Sequence, residues 1–230
     1  MTTYSLTLNI DNAGLQNIYH AGQVVTIVKS VGNEPASVAW ISFQPLETNT
    51  ITWEEEYVIY GTRGEVDSGA KIVMTSQTAT ADTGLLYTFD NGQFSASQAG
   101  GTDGQFSVLN SQANGFTFGL AQEAKINGVA TSLAPMNAVV VNDGQTASFV
   151  PIETVSVYLS SFQNNGVVIS GVVSNAAVVT LTSDSSSATL GFNDKTNTFF
   201  TTAATARVRQ ADLALKPGSG ARPKPQSLVR

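Results

Sequence analysis

Apolar residues along this chain recur in short runs of period two, rich in Val, Ile, Thr, Phe and Tyr, and not at the three-to-four spacing of an amphipathic helix. YSLTLNI, QVVTIVKS, SVAWISF, ITWEEEYVIY, LLYTF, QFSVL, FTFGLA, SVYLS and ATLGF all read as strands. Between such runs lie FDNGQF, GTDGQF, VNDGQT and QNNGVV, whose Asn-Gly and Asp-Gly pairs suit turns that need a positive φ. The pattern predicts an all-β protein with helical periodicity nearly absent.

An internal echo suggests how the strands are grouped. FQPLETNTI, from Phe43 to Ile51, returns as FVPIETVSV, from Phe149 to Val157, 106 residues later. LYTFDN, from Leu86, returns as TLGFND, from Thr189, with Phe89 and Phe192 103 residues apart. Two echoes in the same order at nearly the same offset predict two similar immunoglobulin-like antiparallel β-sandwich lobes, 1–105 and 106–206. A single long sandwich with convergent strands is the alternative.

Charge separates the last segment from the rest. From Arg207 onward there are six basic residues against Asp212, leaving five basic and sixteen acidic residues in 1–206. KPGSGARPKPQSLVR, at 216–230, is rich in Pro, Gly and Ser, so 207–230 is expected to be a disordered basic tail. An acidic body argues against a nucleic-acid face, because phosphate recognition needs a positive patch.

The start, MTTYSLTLNI, lacks the basic and continuous apolar regions of a secretory signal, and the chain contains no Asn-x-Ser/Thr sequon. Its longest apolar stretches are too short for a spanning helix. The expected location is cytoplasmic, or outside the cell after release without a cleaved signal peptide.

Candidate chemistry centres on ITWEEEYVIY, 51–60. As one strand it places Ile51, Trp53, Glu55, Tyr57 and Ile59 on one face, with a carboxylate inside an aromatic row. A one-residue slip would bring Glu54 and Glu56 inward instead. Two readings stand: a charged edge strand that blocks aggregation, or a polar anchor in a ligand site whose rings stack on the ligand. At the 106-residue offset Leu159, Ser160, Ser161 and Gln163 replace Trp53, Glu54, Glu55 and Tyr57, so the fold itself does not require WEEEY. Lys29, Lys71 and Met74 are further candidate contacts, chosen for the rarity of their residue types in 1–105.

Other chemistry is scarce. With no cysteine there is no disulfide, zinc-thiolate site or thiol nucleophile. His20 is the lone histidine, expected in a turn and without a GxSxG elbow for a serine triad. Glu47 with Glu55 or Glu153 gives the carboxylate pairs available for glycoside hydrolysis, yet Glu47 and Glu153 are repeated and so are assigned to the fold. A non-catalytic protein is expected. Calcium is the metal best suited to the turns at Asp90, Asn91, Asp103, Asn142, Asp143, Asn193 and Asp194, although none forms a DxDxDG loop.

LTLNIDNAGLQNIY (6–19), ITWEEEYVIYGT (51–62), GFTFGLAQ (115–122) and SATLGFND (187–194) resemble runs in small, cysteine-poor β-sandwich proteins of mushroom fruiting bodies. That group includes sugar-binding lectins, cytolysins and the coloured proteins of oyster mushrooms, which hold an indole-derived chromophore. The resemblance suggests a pigment-type protein holding a small aromatic ligand, such as a chromophore, and carries over no functional residue; the row Trp53, Glu55 and Tyr57, read from the strand pattern, is the expected place for it. The site is expected where two lobes meet or where two chains pair as a homodimer. The alternatives are a defence lectin, with Trp40 or Trp53 stacked on a sugar, and a pore-forming toxin using 167–190 as a membrane hairpin.

Overall fold

The computed structural model describes residues 2–32, 38–64, 66–161, 165–170 and 175–202. The segment 207–230, expected to be a disordered tail, lies outside them. The chain is all-β, with one short helix among the described residues, and no described helix is long and apolar enough to cross a membrane.

Alternation sets the first strand. In β1, Thr3–Asn9, Tyr4, Leu6 and Leu8 are buried while Thr3, Ser5, Thr7 and Asn9 face outward. The expected turn after it is instead a helix, α1, Asn12–His20. Asp11 caps it by accepting from the Gly14 amide at 2.7 Å, and Leu15 and Ile18, three apart, face the core. One and a half apolar turns are too few for a helical period to stand out in sequence. His20 is its exposed last residue.

Four strands follow in order: β2 (Val24–Val31), β3 (Val38–Phe43), β4 (Thr48–Glu54) and β5 (Val58–Thr62). Each of the four sheets takes strands from both sides of residue 105. In the first, β4 pairs antiparallel with β1, β1 pairs parallel with Ser187–Asn193, and that strand forms a hairpin with Thr198–Thr201. In the second, β3, β2, Pro151–Ser160 and Ala177–Thr180 run antiparallel in that order.

The other two sheets repeat this scheme. Thr146–Phe149 pairs antiparallel with Phe106–Asn110, which pairs parallel with Leu85–Asp90, which turns back on Gln93–Phe94. Ala134–Pro135, Phe116–Gln122, β5 and Ser76–Gln77 are antiparallel throughout. Two similar sandwich-like lobes result. One uses strands from Val58 to Phe149 and the other strands from the flanking segments, Thr3–Glu54 and Pro151–Thr201, with the hairpin Lys125–Ile126/Val129–Ala130 of the middle segment reaching across to pair with β4. Each contains one parallel pair in an otherwise antiparallel arrangement.

Phe89 and Phe192, the second echo, occupy matching strands, each between a parallel partner and a hairpin partner. The first echo does not match in this way. Phe43 ends β3, whereas Phe149 ends the strand that leads into Pro151–Ser160. The counterpart of Phe149–Val155 is instead Ile51–Tyr57, because each links the two lobes.

Apolar side chains from all four sheets meet in one main core. Phe89 packs against Phe116 and Phe118 at centroid distances of 4.5 and 5.1 Å. In the 167–190 region, Val167–Val168 pairs with β3, Ala177–Thr180 with Pro151–Ser160, and Ser187–Asn193 with β1. These strands belong to two different sheets.

Candidate binding site at the lobe crossover

ITWEEEYVIY is two strands joined by a corner. β4 ends at Glu54 in one lobe and β5 begins at Val58 in the other. Because the chain turns between them, Trp53 and Tyr57 both point into the core, at 2% and 5% exposure, while Glu54, Glu55 and Glu56 stay outside. The aromatic row of a single strand is therefore not formed. Glu55 instead accepts a hydrogen bond from the Tyr4 hydroxyl at 2.6 Å, and Tyr4 stacks on Trp53 with centroids 5.9 Å apart.

Beneath the corner lies Lys29, with 0% exposure. It falls in the row Val25, Ile27, Lys29, Val31, the face of β2 turned toward the main core. Two irregularities in the neighbouring strands shape its surroundings. Along β3 the register shifts between Ile27 and Val28, leaving Trp40 unpaired between Ile41 and Ala39. Along Pro151–Ser160 it shifts between Pro151 and Val155, so that Glu153 falls within the irregular stretch opposite Val31 and Lys29. Such bulges re-aim side chains, and here the side chains of Trp40 and Glu153 are directed at one ammonium group.

The Lys29 ammonium lies 2.8 Å from Glu153 Oε2, donates to Gln122 Oε1 at 2.7 Å and approaches the Tyr57 hydroxyl at 3.5 Å. It sits 5.3 to 5.4 Å from the ring centroids of Trp40, Trp53 and Tyr57, within cation–π range. Glu153, at 11% side-chain exposure, also accepts from Trp53 Nε1 at 2.6 Å and from the Tyr57 hydroxyl. Gln122 in turn donates to the Glu54 carbonyl, and its own carbonyl accepts from Trp40 Nε1 at 3.1 Å. Among the described residues no buried side-chain polar atom lacks a partner.

A buried ion pair persists only when its remaining polar groups are satisfied, a condition met here. Burial pushes the Lys29 ammonium down to about 8, against the opposing pull of Glu153. Burial, followed by the nearby Glu153, holds the Tyr57 hydroxyl well above the usual phenol range. Burial also raises Tyr4, with Glu55 adding to it. These shifts keep both phenols protonated as donors to the carboxylates.

Outside this network, a cavity of about 270 Å³ is lined by Thr3, Thr52, Trp53, Glu54, Glu56, Glu123, Ala124 and Lys125. Glu54, Glu56, Glu123 and Lys125 thus line one cavity together with Trp53, and Glu55 is not among its lining residues. Of the residues singled out from sequence, the structure brings Lys29, Trp53 and Tyr57 into one network and places Glu55 beside it through Tyr4. Lys71 and Met74 line a different cavity. Both tryptophans are buried, Trp40 at 0% and Trp53 at 2% exposure.

Sequence reasoning did not single out Gln122 or Tyr4 and assigned Glu153 to the fold. The available signal was Lys29 itself, a cation in an apolar row that implies a buried counter-charge. Among the described residues no group of three or more His, Asp or Glu is arranged to hold a metal ion. At the proposed calcium turns, Asp90 accepts from the amide of Asn91, and Asn193 from those of Lys195 and Thr196. Compared with protein-family models, curated proteins and solved structures, the chain matches none of them.

Proposed function

We propose that this protein is a non-catalytic binding protein that holds a small aromatic ligand carrying a positive charge in the cavity at the lobe crossover. The observation that carries the reading is the gathering of Trp53, Glu54, Glu56 and Glu123 around one cavity. Aromatic surface supplies apolar contact, and carboxylates at the rim select a cation. The Lys29 network supports this site from below. It fixes the Trp53 indole through Glu153, which reduces the ordering cost of binding.

The first measurement is an absorption spectrum from the near ultraviolet through the visible, with native mass spectrometry, on protein from its natural source. A band beyond tryptophan together with excess mass identifies a retained ligand. For the apo protein, tryptamine and indole-3-acetate differ in the sign of their charge and make a direct comparison. Tryptamine is expected to bind more tightly, and combined Glu54→Gln, Glu56→Gln and Glu123→Gln substitution to weaken it about tenfold or more. Equal binding of both probes, or of neither, rejects the reading.

A further inference from the structure

We propose a second ligand site, of opposite charge preference, in the seam between the lobes: a pocket for a small organic carboxylate with an apolar body. The two lobes are stitched here by backbone bonds. The Gly69 amide donates to the Val168 carbonyl, the Val168 amide to the Ala70 carbonyl and the Ile72 amide to the Gly166 carbonyl, each at 2.8 Å. Beside this seam a cavity of about 400 Å³ is lined by Ser42, Lys71, Ile72, Met74, Ser132, Leu133, Ala134, Pro135 and Asn165. That volume lies within the usual range for small-molecule sites, about 300–1,000 Å³.

Its chemistry is divided between wall and mouth. Ile72 and Ala134 are buried at 4% and 1% exposure, and Met74 and Leu133 belong to the same apolar cluster as Ile72. Lys71 and Ser132 are exposed. Among the described residues no carboxylate lines the cavity, and the one ion pair is that of Lys29 with Glu153, so no described carboxylate pairs with Lys71. Asn165 Oδ1 accepts from the Ser42 amide at 2.8 Å, which leaves its amide nitrogen as a donor. One cation, an amide donor and the Ser132 hydroxyl beside an apolar wall suit a carboxylate whose hydrocarbon body enters the cavity, the Ser42 hydroxyl being shared with Thr26 Oγ1 at 3.2 Å.

The turn at Asn165–Gly166 places Asn165 on the cavity wall. Gly166 has φ +78°, a left-handed backbone that favours glycine at this turn. This site shares no lining residue with the cavity beside Trp53, and its occupation does not depend on the cationic-ligand reading.

The test uses the full chain labelled with ¹³C at the methionine methyls, of which there are three, Met1, Met74 and Met136. Met74→Leu assigns the reporting signal. Titration with 3-phenylpropionate should shift the Met74 methyl and leave Met136, which has 0% exposure, unmoved. Lys71→Met should weaken binding about tenfold, Lys71→Arg should retain it, and 3-phenylpropylamine should fail to bind. Lys71 is exposed and forms no ion pair among the described residues, so its substitution leaves the fold intact. Glu54→Gln with Glu56→Gln should leave the phenylpropionate titration unchanged, separating this site from the other. Absence of a Met74 shift up to the solubility of the probe overturns the proposal, as does an equal response to the amine or unaltered binding by Lys71→Met.

Discussion

Two links between the lobes, Trp53–Tyr57 and Phe149–Val155, use their carboxylates in opposite ways. The first has three consecutive glutamates, all exposed. The second has one, Glu153, which is turned inward by a break in register and joined to Lys29. The contrast shows that the number of charges in a stretch says little about which one the fold depends on. A glutamate at an outward corner keeps its water, whereas one within a bulge beside a buried strand is committed to whatever cation that strand presents.

The largest expected effect therefore belongs to the single glutamate. Glu153→Gln removes the counter-charge of a fully buried ammonium and should cost on the order of 3 kcal/mol in urea unfolding. Lys29→Met should cost less, because Glu153 keeps two donors, from Trp53 and Tyr57, and some access to water. The double variant should recover most of the Glu153→Gln loss, since no unpaired charge then remains. A double variant as unstable as the sum of the two singles would show that the residues do not act as a pair.

Trp53→Phe sharpens the comparison from the side of the first crossover. It keeps the aromatic packing with Tyr4 but deletes the indole N–H donor to Glu153 and part of a buried ring. About 1–3 kcal/mol should be lost. A smaller loss from a neutral Trp40→Phe change would not affect the argument, because Trp40 donates to a backbone carbonyl and not to the carboxylate.

The pH dependence of stability is the next test. Lys29 has a folded value of about 8 against an ordinary 10.5, so between these values the unfolded chain binds more protons and stability rises with pH. Tyr4, Tyr57 and Tyr60 are all raised by burial, so above about pH 10 the folded chain binds more protons and stability falls. Unfolding free energy should therefore increase by on the order of 1–2 kcal/mol from pH 8 towards pH 10 and then decline. Lys29→Met should abolish the rise and keep the decline.

Much of the all-β character was legible in sequence, because period-two runs such as Tyr4, Leu6 and Leu8 translate directly into one buried face. The presence of two lobes was legible through Phe89 and Phe192. How the lobes are threaded was not, since strand pairing between Thr3–Asn9 and Ser187–Asn193 leaves no local mark on either segment. The FxP(L/I)ET echo misled for a related reason: a Pro-containing link suits more than one strand end, and Glu47 and Glu153 share a motif without sharing a position in the lobes. Trp53, Tyr57 and Lys29 were recognisable as unusual. The geometry joining them depends on two bulges, which period-two reading cannot place.

That misleading echo supplies the smallest predicted effect. Glu47 precedes β4 and is exposed, and its backbone carbonyl, not its carboxylate, accepts from the Ile10 amide at 2.8 Å. Glu47→Gln therefore leaves the observed hydrogen bond in place and should change stability by no more than about 0.5 kcal/mol, the range of ordinary surface substitutions. Measured beside Glu153→Gln under the same conditions, it asks whether sequence similarity or position in the topology governs the cost. Comparable losses at the two sites would mean that the shared motif matters in itself and that Lys29 is not the reason Glu153 is needed. A several-fold difference in their losses would place the requirement with the buried cation and the bulge that meets it.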